Sequence, residues 1–108
     1  MAKLERTMNC GFNELLARIE NGILSGSISA TLEDKSDFCE GDARCSVRVF
    51  ERYSYIGCNR VSLSVTLFQY GDGPVRLSAI TSGGSQAIFF KINTFGEEAF
   101  LEKLEELL

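Results

Sequence analysis

A chain of 108 residues, 44% hydrophobic and 24% charged, can bury the core of one globular domain, so we expect residues 1–108 to form a single domain that needs neither disulfides nor a metal. The formal net charge of −4 argues against a non-specific nucleic-acid binder, and no run of about 20 apolar residues predicts a membrane span. The first nine residues, MAKLERTMN, lack the apolar centre of a secretory signal, which favours a cytoplasmic protein.

The N-terminal part predicts a short strand followed by an amphipathic helix. Residues 2–8 form the strand, and Asn9 can cap the helix that follows. Apolar residues then recur at helical spacing: Phe12, Leu15, Leu16 and Ile19. The helix ends at Gly22, because glycine readily adopts the left-handed terminal conformation, or continues for about one more turn to Gly26.

The next segment predicts a second strand and then an acidic loop. Residues 27–33 alternate, with Ile28 and Leu32 on the side expected to face the core. Acidic residues recur over 34–42 and favour a solvated loop there. Pairing across that loop would set Glu33 opposite Arg44.

Residues 43–81 predict three antiparallel strands in which every second side chain is apolar. The apolar set is Ala43, Cys45, Val47, Val49, Val61, Leu63, Val65, Leu67, Val75, Leu77 and Ala79. Side chains alternate between the two faces of a strand, so this set should face a core and the opposite set should face water or a partner. The segments 55–59 and 71–74 contain turn residues and predict hairpins.

The last part of the chain predicts a break in the sheet and a second helix. The segment Ser82–Ser85, with two glycines, fits a bulge, a wide turn or a loop. A phosphate-binding loop is disfavoured, because the segment leads into an apolar, strand-like run at 87–92 and not into a helix. Thr94 and Glu97 have the spacing of a capping box, which predicts a helix over 95–108.

These elements predict a two-layer α+β fold with a single antiparallel sheet and both helices packed on one face. The order, strand, helix, four or five strands, helix, is similar to the TATA-binding-protein-like fold. Two stretches, 26–34 (GSISATLED) and 82–94 (SGGSQAIFFKINT), resemble an uncharacterised bacterial family of small proteins of about this length. That resemblance implies no catalytic residues, and the fold likeness alone implies no DNA binding.

The candidate site is the second face of the sheet, where arginines and aromatics interleave. Residues 43–80 hold five arginines against two acids, although the chain as a whole is acidic. The candidate ligand- or partner-binding residues are Arg44, Arg48, Phe50, Arg52, Arg60, Phe68, Tyr70 and Arg76. Three interpretations stay open: a solvated face, a self-association surface, and a site for an anion, nucleotide or nucleic acid.

The chain shows no recognisable catalytic constellation, metal site or cofactor motif. It has no histidine, and its four cysteines, Cys10, Cys39, Cys45 and Cys58, form no C-x-x-C pair. We expect free thiols, with Cys45 as a small buried side chain. The first hypothesis is therefore a non-enzymatic binding or assembly module, homodimeric through the open sheet face or its edge. The alternative is an anion, nucleotide or nucleic-acid binder that uses the arginines.

Overall fold

The computed structural model describes residues 1–26, 29–54, 59–83 and 90–108. These residues form one antiparallel sheet with two helices packed against it, which confirms the predicted two-layer α+β architecture. The elements are β1 (Ala2–Met8), α1 (Phe12–Gly26), β2 (Thr31–Glu40), β3 (Ala43–Ser54), β4 (Asn59–Tyr70), β5 (Val75–Gly83) and α2 (Phe90–Glu105).

The strand order is β1-β5-β4-β3-β2, and every neighbouring pair is antiparallel. β1 and β2 are consecutive strands but lie at opposite edges, so α1, which connects them, carries the chain across one face of the sheet. α2 packs on that same face over β5, β4 and β1. The other face carries no helix of the described chain and is called the open face below.

The core lies between the helices and one face of the sheet. α1 buries a stripe at helical spacing: Phe12, Leu15, Ile19 and Ile23. α2 buries Phe100 and Leu104. β4 and β5 bury alternate residues: Val61, Leu63, Val65, Leu67, Val75, Leu77 and Ala79. The parity predicted for β4 and β5 is therefore confirmed.

The parity of β3 is opposite to the one expected from its sequence. Phe50 and Arg48 are buried under the helices, whereas Val47 and Val49 lie half-buried on the open face. The cause is the β3–β4 register, in which Phe50 lies opposite Leu63. Directly opposed residues share a face, and this register joins the even-numbered residues of β3 to odd-numbered residues of β4, and the odd-numbered residues of β3 to even-numbered ones. The number of residues between the two strands sets this relation, and the alternation within each strand does not reveal it.

The prediction of an acidic loop at 34–42 is wrong, because most of these residues belong to strand β2. The strand spans Thr31–Glu40, and only Gly41 and Asp42 form the turn to β3, with Gly41 at φ 58°. The predicted strand at 27–33 lies too early in the chain, and residues 27–28 lie outside the described residues. Arg44 lies opposite Cys39, so the expected pairing with Glu33 is wrong. An edge strand tolerates such charges because its side chains reach water.

α2 begins earlier than the capping-box spacing predicts. The helix starts at Phe90, so Thr94 lies inside it, and the Glu97 carboxylate contacts the Met1 ammonium at 2.6 Å. The apolar run expected as a strand at 87–92 is helical from residue 90, and residues 84–89 lie outside the described residues. Ser82 and Gly83 continue β5.

α1 follows the longer of its two predicted courses and ends at Gly26. Gly22 therefore lies inside the helix, where a Cβ would come within 2.4 Å of Leu107 Cδ2. The glycine allows α1 to approach the end of α2 closely, so its role is packing and not helix termination.

Truncating a valine to alanine should lower the free energy of unfolding by different amounts on the two faces of the sheet. Val65→Ala should lower the free energy of unfolding by about 1–3 kcal/mol, because the side chain is fully buried beneath the helices and its removal leaves a cavity. Val47→Ala, on the open face, should cost well under half as much. Urea unfolding of both variants measures the difference. Equal costs would contradict the parity of β3.

Candidate binding surface on the open sheet face

The eight candidate residues divide between the two faces of the sheet. Arg60, Phe68, Tyr70 and Arg76 lie on the open face, as expected. The β3 members lie on the face that the helices cover: Arg44, Arg48, Phe50 and Arg52. The expectation that all eight share one surface is wrong, because the register of β3 turns its even-numbered residues toward the helices.

Phe50 and Arg44 are part of the contact between β3 and the helix layer. Phe50 is fully buried in the core. Arg44 lies over the Phe12 ring, with its guanidinium carbon 3.8 Å from the ring centroid, and Nη2 donates to Asn13 Oδ1 at 2.9 Å. This arginine is engaged by the start of α1 and does not point into an open site.

Arg48 joins α1, β2 and β3 in one polar network. Its side chain is only 6% exposed. Nε donates to the Glu20 carboxylate of α1, and Nη1 lies 3.0 Å from Asp37 Oδ1 of β2. Nη1 also donates to the Val47 carbonyl at 2.9 Å. A buried guanidinium is stable only when its donors are satisfied, and these partners satisfy them.

The pKa values of this network follow from its geometry. Burial alone would lower the pKa of Arg48, but hydrogen bonds to Glu20 and Asp37 more than offset it and raise the pKa overall. The hydrogen bond from Ser46 Oγ at 2.6 Å, followed by that from Arg48, lowers the pKa of Asp37. Both charges are therefore favoured in the folded state, where they fasten the edge strand β2 to the rest of the molecule.

Arg52 completes a row of arginines along the covered face of β3. Its guanidinium carbon lies 4.7 Å from the centroid of the Phe100 ring of α2. Burial lowers the pKa of Arg52. Arg44, Arg48 and Arg52 thus contact both helices from one strand, with their stems at the border of the core. They stabilise the helix layer and do not form an open anion clamp.

The open face exposes three large aromatic side chains near the β2–β3 turn. Phe38 is 62% exposed, Phe68 is 41% exposed and Tyr70 is 69% exposed. The strand register aligns one cross-strand row over all five strands: Phe38, Cys45, Phe68, Arg76 and Thr7. A second row is Asp34, Val49, Ser64, Ile80 and Lys3. Half-buried Val47 lies between them on β3, but the middle of the central strand β4 carries the hydroxyl groups of Ser62, Ser64 and Thr66. The apolar side chains of the face therefore lie on β3 and toward the β2–β3 turn.

Charges on the open face are separated from one edge of the sheet to the other. Asp34 and Glu40 lie on β2, whereas Arg76 lies on β5 and Lys3 lies on β1, where its Nζ is 3.3 Å from Glu5 Oε1 on the same face. Arg60 is neutralised locally, because its Nε donates to Glu51 Oε1 at 2.8 Å. The face therefore has an acidic edge on β2, whereas the opposite side carries Arg76 and the Lys3–Glu5 ion pair.

Arg76 differs from the other arginines of the sheet. It is exposed and, within the described part of the chain, has no acidic side chain within ion-pair distance. It lines an open concavity of about 590 Å³ together with Phe68, Thr66, Ser78 and Thr7, and with one acid, Glu5. A guanidinium beside hydroxyl groups and an aromatic ring can bind a carboxylate or phosphate.

The described residues contain no group of three His, Cys, Asp or Glu side chains that could hold a metal ion. Cys10, Cys39 and Cys45 are free thiols, and Cys58 lies outside the described residues. Cys45 is half-buried on the open face, so its expected place in the core is wrong. No helix within the described ranges is long and apolar enough to cross a membrane.

The sequence-based prediction missed Phe38 and the two valines of the open face. Charged residues surround Phe38 in the sequence and predict a loop there. One available signal was the Gly41-Asp42 pair, which is a favourable two-residue hairpin turn and makes the preceding residues a strand. The positions of Val47 and Val49 depend on the register of β3, for which the chain offers no local signal.

Comparison with known proteins yields a family without an assigned activity. The family model DUF6054, described as a family of unknown function, matches residues 1–108. This match confirms the resemblance to an uncharacterised family that the sequence indicated. No curated protein and no solved structure matches the chain.

The lowered pKa of Asp37 predicts an acid-sensitive contribution to stability. Because the folded pKa lies below the unfolded value, the contribution is present above the unfolded pKa and is lost as pH falls through the folded pKa. Asp37→Asn should therefore flatten the loss of unfolding free energy between about pH 5 and pH 3. Urea unfolding at several pH values measures this. Asp42→Asn, in the adjacent turn, is the control and should keep the wild-type slope; an unchanged slope in Asp37→Asn would contradict the network.

Proposed function

We propose that this protein, which belongs to the DUF6054 family, is a non-enzymatic assembly module that forms a homodimer through its open sheet face. The observation that carries the proposal is the exposure of Phe38, Phe68 and Tyr70 on a face that no helix of the described chain covers. Contiguous apolar patches on a sheet are costly in water and typically mark interaction surfaces.

The size of the face suits a stable dimer. Five strands about 4.8 Å apart, each with about nine residues at about 3.3 Å, span roughly 700 Å². A standard interface buries about 800 Å² on each partner. A second copy seated on the face would therefore bury enough area for a specific contact, with the two helix layers on the outside.

The composition of the face also favours a protein partner. Aromatic side chains and arginine are enriched in interface cores, and here Phe68 lies directly opposite Arg76 on neighbouring strands. The edges are less suited to pairing, because β2 carries charges at Asp34, Lys35 and Glu40 that oppose edge-to-edge association. The face, and not the edge, is the contact that we propose.

A bacterial, cytoplasmic origin and a TATA-binding-protein-like arrangement are parts of the same proposal. The single antiparallel sheet with both helices on one face supports the arrangement. Exposed Cys39 is a free thiol, as suits a reducing compartment.

The homodimer predicts that a charge on the open face will separate the copies. Phe68→Glu should convert the dimer to a folded monomer, because the contact would bury an unpaired carboxylate while the core stays intact. Phe38→Glu, at the edge of the same face, should act in the same direction. Leu24→Glu is the matched control, because Leu24 is also partly exposed but lies on α1.

Sedimentation velocity over a range of protein concentrations measures the mass, and circular dichroism checks the fold. A wild-type protein that stays monomeric throughout, or dimers that persist in both phenylalanine variants, would refute the open face as the dimer surface.

A second candidate function, a small anion site, is favoured by one observation. Arg76 is exposed within the concavity, beside the hydroxyl groups of Thr66 and Ser78 and the ring of Phe68, while the one acid of the lining, Glu5, is paired with Lys3 at 3.3 Å. The other arginines do not extend this site, because those of β3 face the helices and Arg60 is paired with Glu51. The candidate ligand is thus a single phosphate or carboxylate group and not a nucleic-acid strand, which needs a longer basic surface.

This second candidate predicts a phosphate response that depends on one arginine. Titration with inorganic phosphate at two salt concentrations should give a salt-sensitive shift in the NMR signals of Thr66 and Ser78. Arg76→Gln should abolish the shift, and Arg60→Gln should leave it unchanged. A wild-type protein without the shift, or equal losses in both variants, would rule out the site.

A further inference from the structure

We infer that the two-fold axis of the homodimer runs along β4, so that β2 of each copy lies over β1 of the other and Asp34 meets Lys3 of the second copy. The inference rests on the proposed open-face dimer and specifies which residues select the arrangement. In this arrangement Asp34 and Lys3 determine how the second copy is oriented on the open face.

The first step is geometric. When two identical faces meet, the two-fold axis lies in the plane of contact, and for a sheet its two simple directions are along and across the strands. Rotation about an axis along the strands exchanges the two edges of the sheet. Each cross-strand row keeps its position along the strand direction, so it lies over the same row of the second copy. β4 is the third of five strands, so the axis falls on it.

The second step is electrostatic. An axis across the strands that lays Phe68 near Ser62 would place the acidic β2 of one copy on β2 of the other, with Asp34 opposite Ser36 and diagonal to Asp34 of the second copy. An axis along the strands places β2 on β1. Asp34 and Lys3 belong to the same five-strand row, so they come opposite each other twice in the dimer.

The third step concerns the apolar side chains of the face, which lie around the hydroxyl groups of Ser62, Ser64 and Thr66 on β4. With the axis along β4, Phe68 packs on Phe68 of the second copy, and Val49 lies over Ile80 of the second copy, since these two share a row on either side of β4. An axis across the strands would reverse the order of the rows and lay Phe68 near Ser62. The arrangement along β4 therefore matches both apolar and charged groups.

The small tilt between facing sheets does not remove this match. Two sheets packed face to face cross at about 30°, which shifts residues at the sheet edges by about 5 Å relative to their facing rows. Asp34 and Lys3 are exposed at those edges. Lys3 Nζ lies 3.3 Å from Glu5 Oε1, and the three donors and long stem of the lysine allow it to reach Asp34 of the second copy as well.

The test is a charge exchange at these two positions. Asp34→Lys and Lys3→Glu should each weaken self-association about tenfold at low ionic strength, because each sets two like-charged pairs in the contact. The double variant Asp34→Lys/Lys3→Glu should return to within about threefold of the wild type. An equimolar mixture of the two single variants should form a heterodimer, because both of its contacts again join opposite charges.

Glu102→Lys, on the exposed side of α2, is the control for net charge and should dimerise as the wild type does. Sedimentation equilibrium gives the dissociation constants, and native mass spectrometry detects the heterodimer through isotope labelling of one variant. If Phe68→Glu separates the wild-type dimer but both single charge variants dimerise normally, the axis along β4 is refuted while the open-face dimer stands. A monomeric wild type refutes both.

Discussion

The pairing of β3 with β4 determines which side chains the helices cover and which the sheet leaves exposed. With Phe50 opposite Leu63, the even-numbered residues of β3 lie beneath the helices and its valines lie on the open face. A shift of one residue would reverse every side chain of β3. The buried arginine network, the exposure of the β3 valines on the open face and the strand row from Phe38 to Thr7 all depend on this register.

The arginines of β3 show how a small helix layer can cover a five-stranded sheet. The two helices pack on β1, β5 and β4 through apolar residues. At β3 the contact with the helices is made by the side chains of Arg44, Arg48 and Arg52. Long stems fill the border of the core while each charged head reaches a ring, an amide or a carboxylate. Arg48 extends the same principle to β2, which has few buried side chains of its own and is held through Asp37.

The same register shapes the open face. Because the arginines of β3 turn toward the helices, its smaller apolar residues join the aromatics of β2 and β4 on the exposed side. Of the charges that remain there, Asp34 and Glu40 lie on β2, whereas Arg76 lies toward the opposite edge, where Lys3 pairs with Glu5. A face with exposed apolar side chains and an acidic edge opposite a cation-bearing edge can bind its own copy with unlike edges together, and this physical property connects the fold to the proposed assembly.

The sequence by itself determined the α+β class, β1, the stripe of α1 and the inward parity of β4 and β5, because these follow from periodicity within single segments. It also identified Phe68, Tyr70 and Arg76 as open-face residues. The tertiary structure alone decided the parity of β3, the strand character of 34–40 and the burial of Arg48. Register between strands depends on loop length and on long-range pairing, so no single segment encodes it. Arg48 looks like a surface residue in the sequence because its partners, Glu20 and Asp37, are distant in the chain and meet it only after folding.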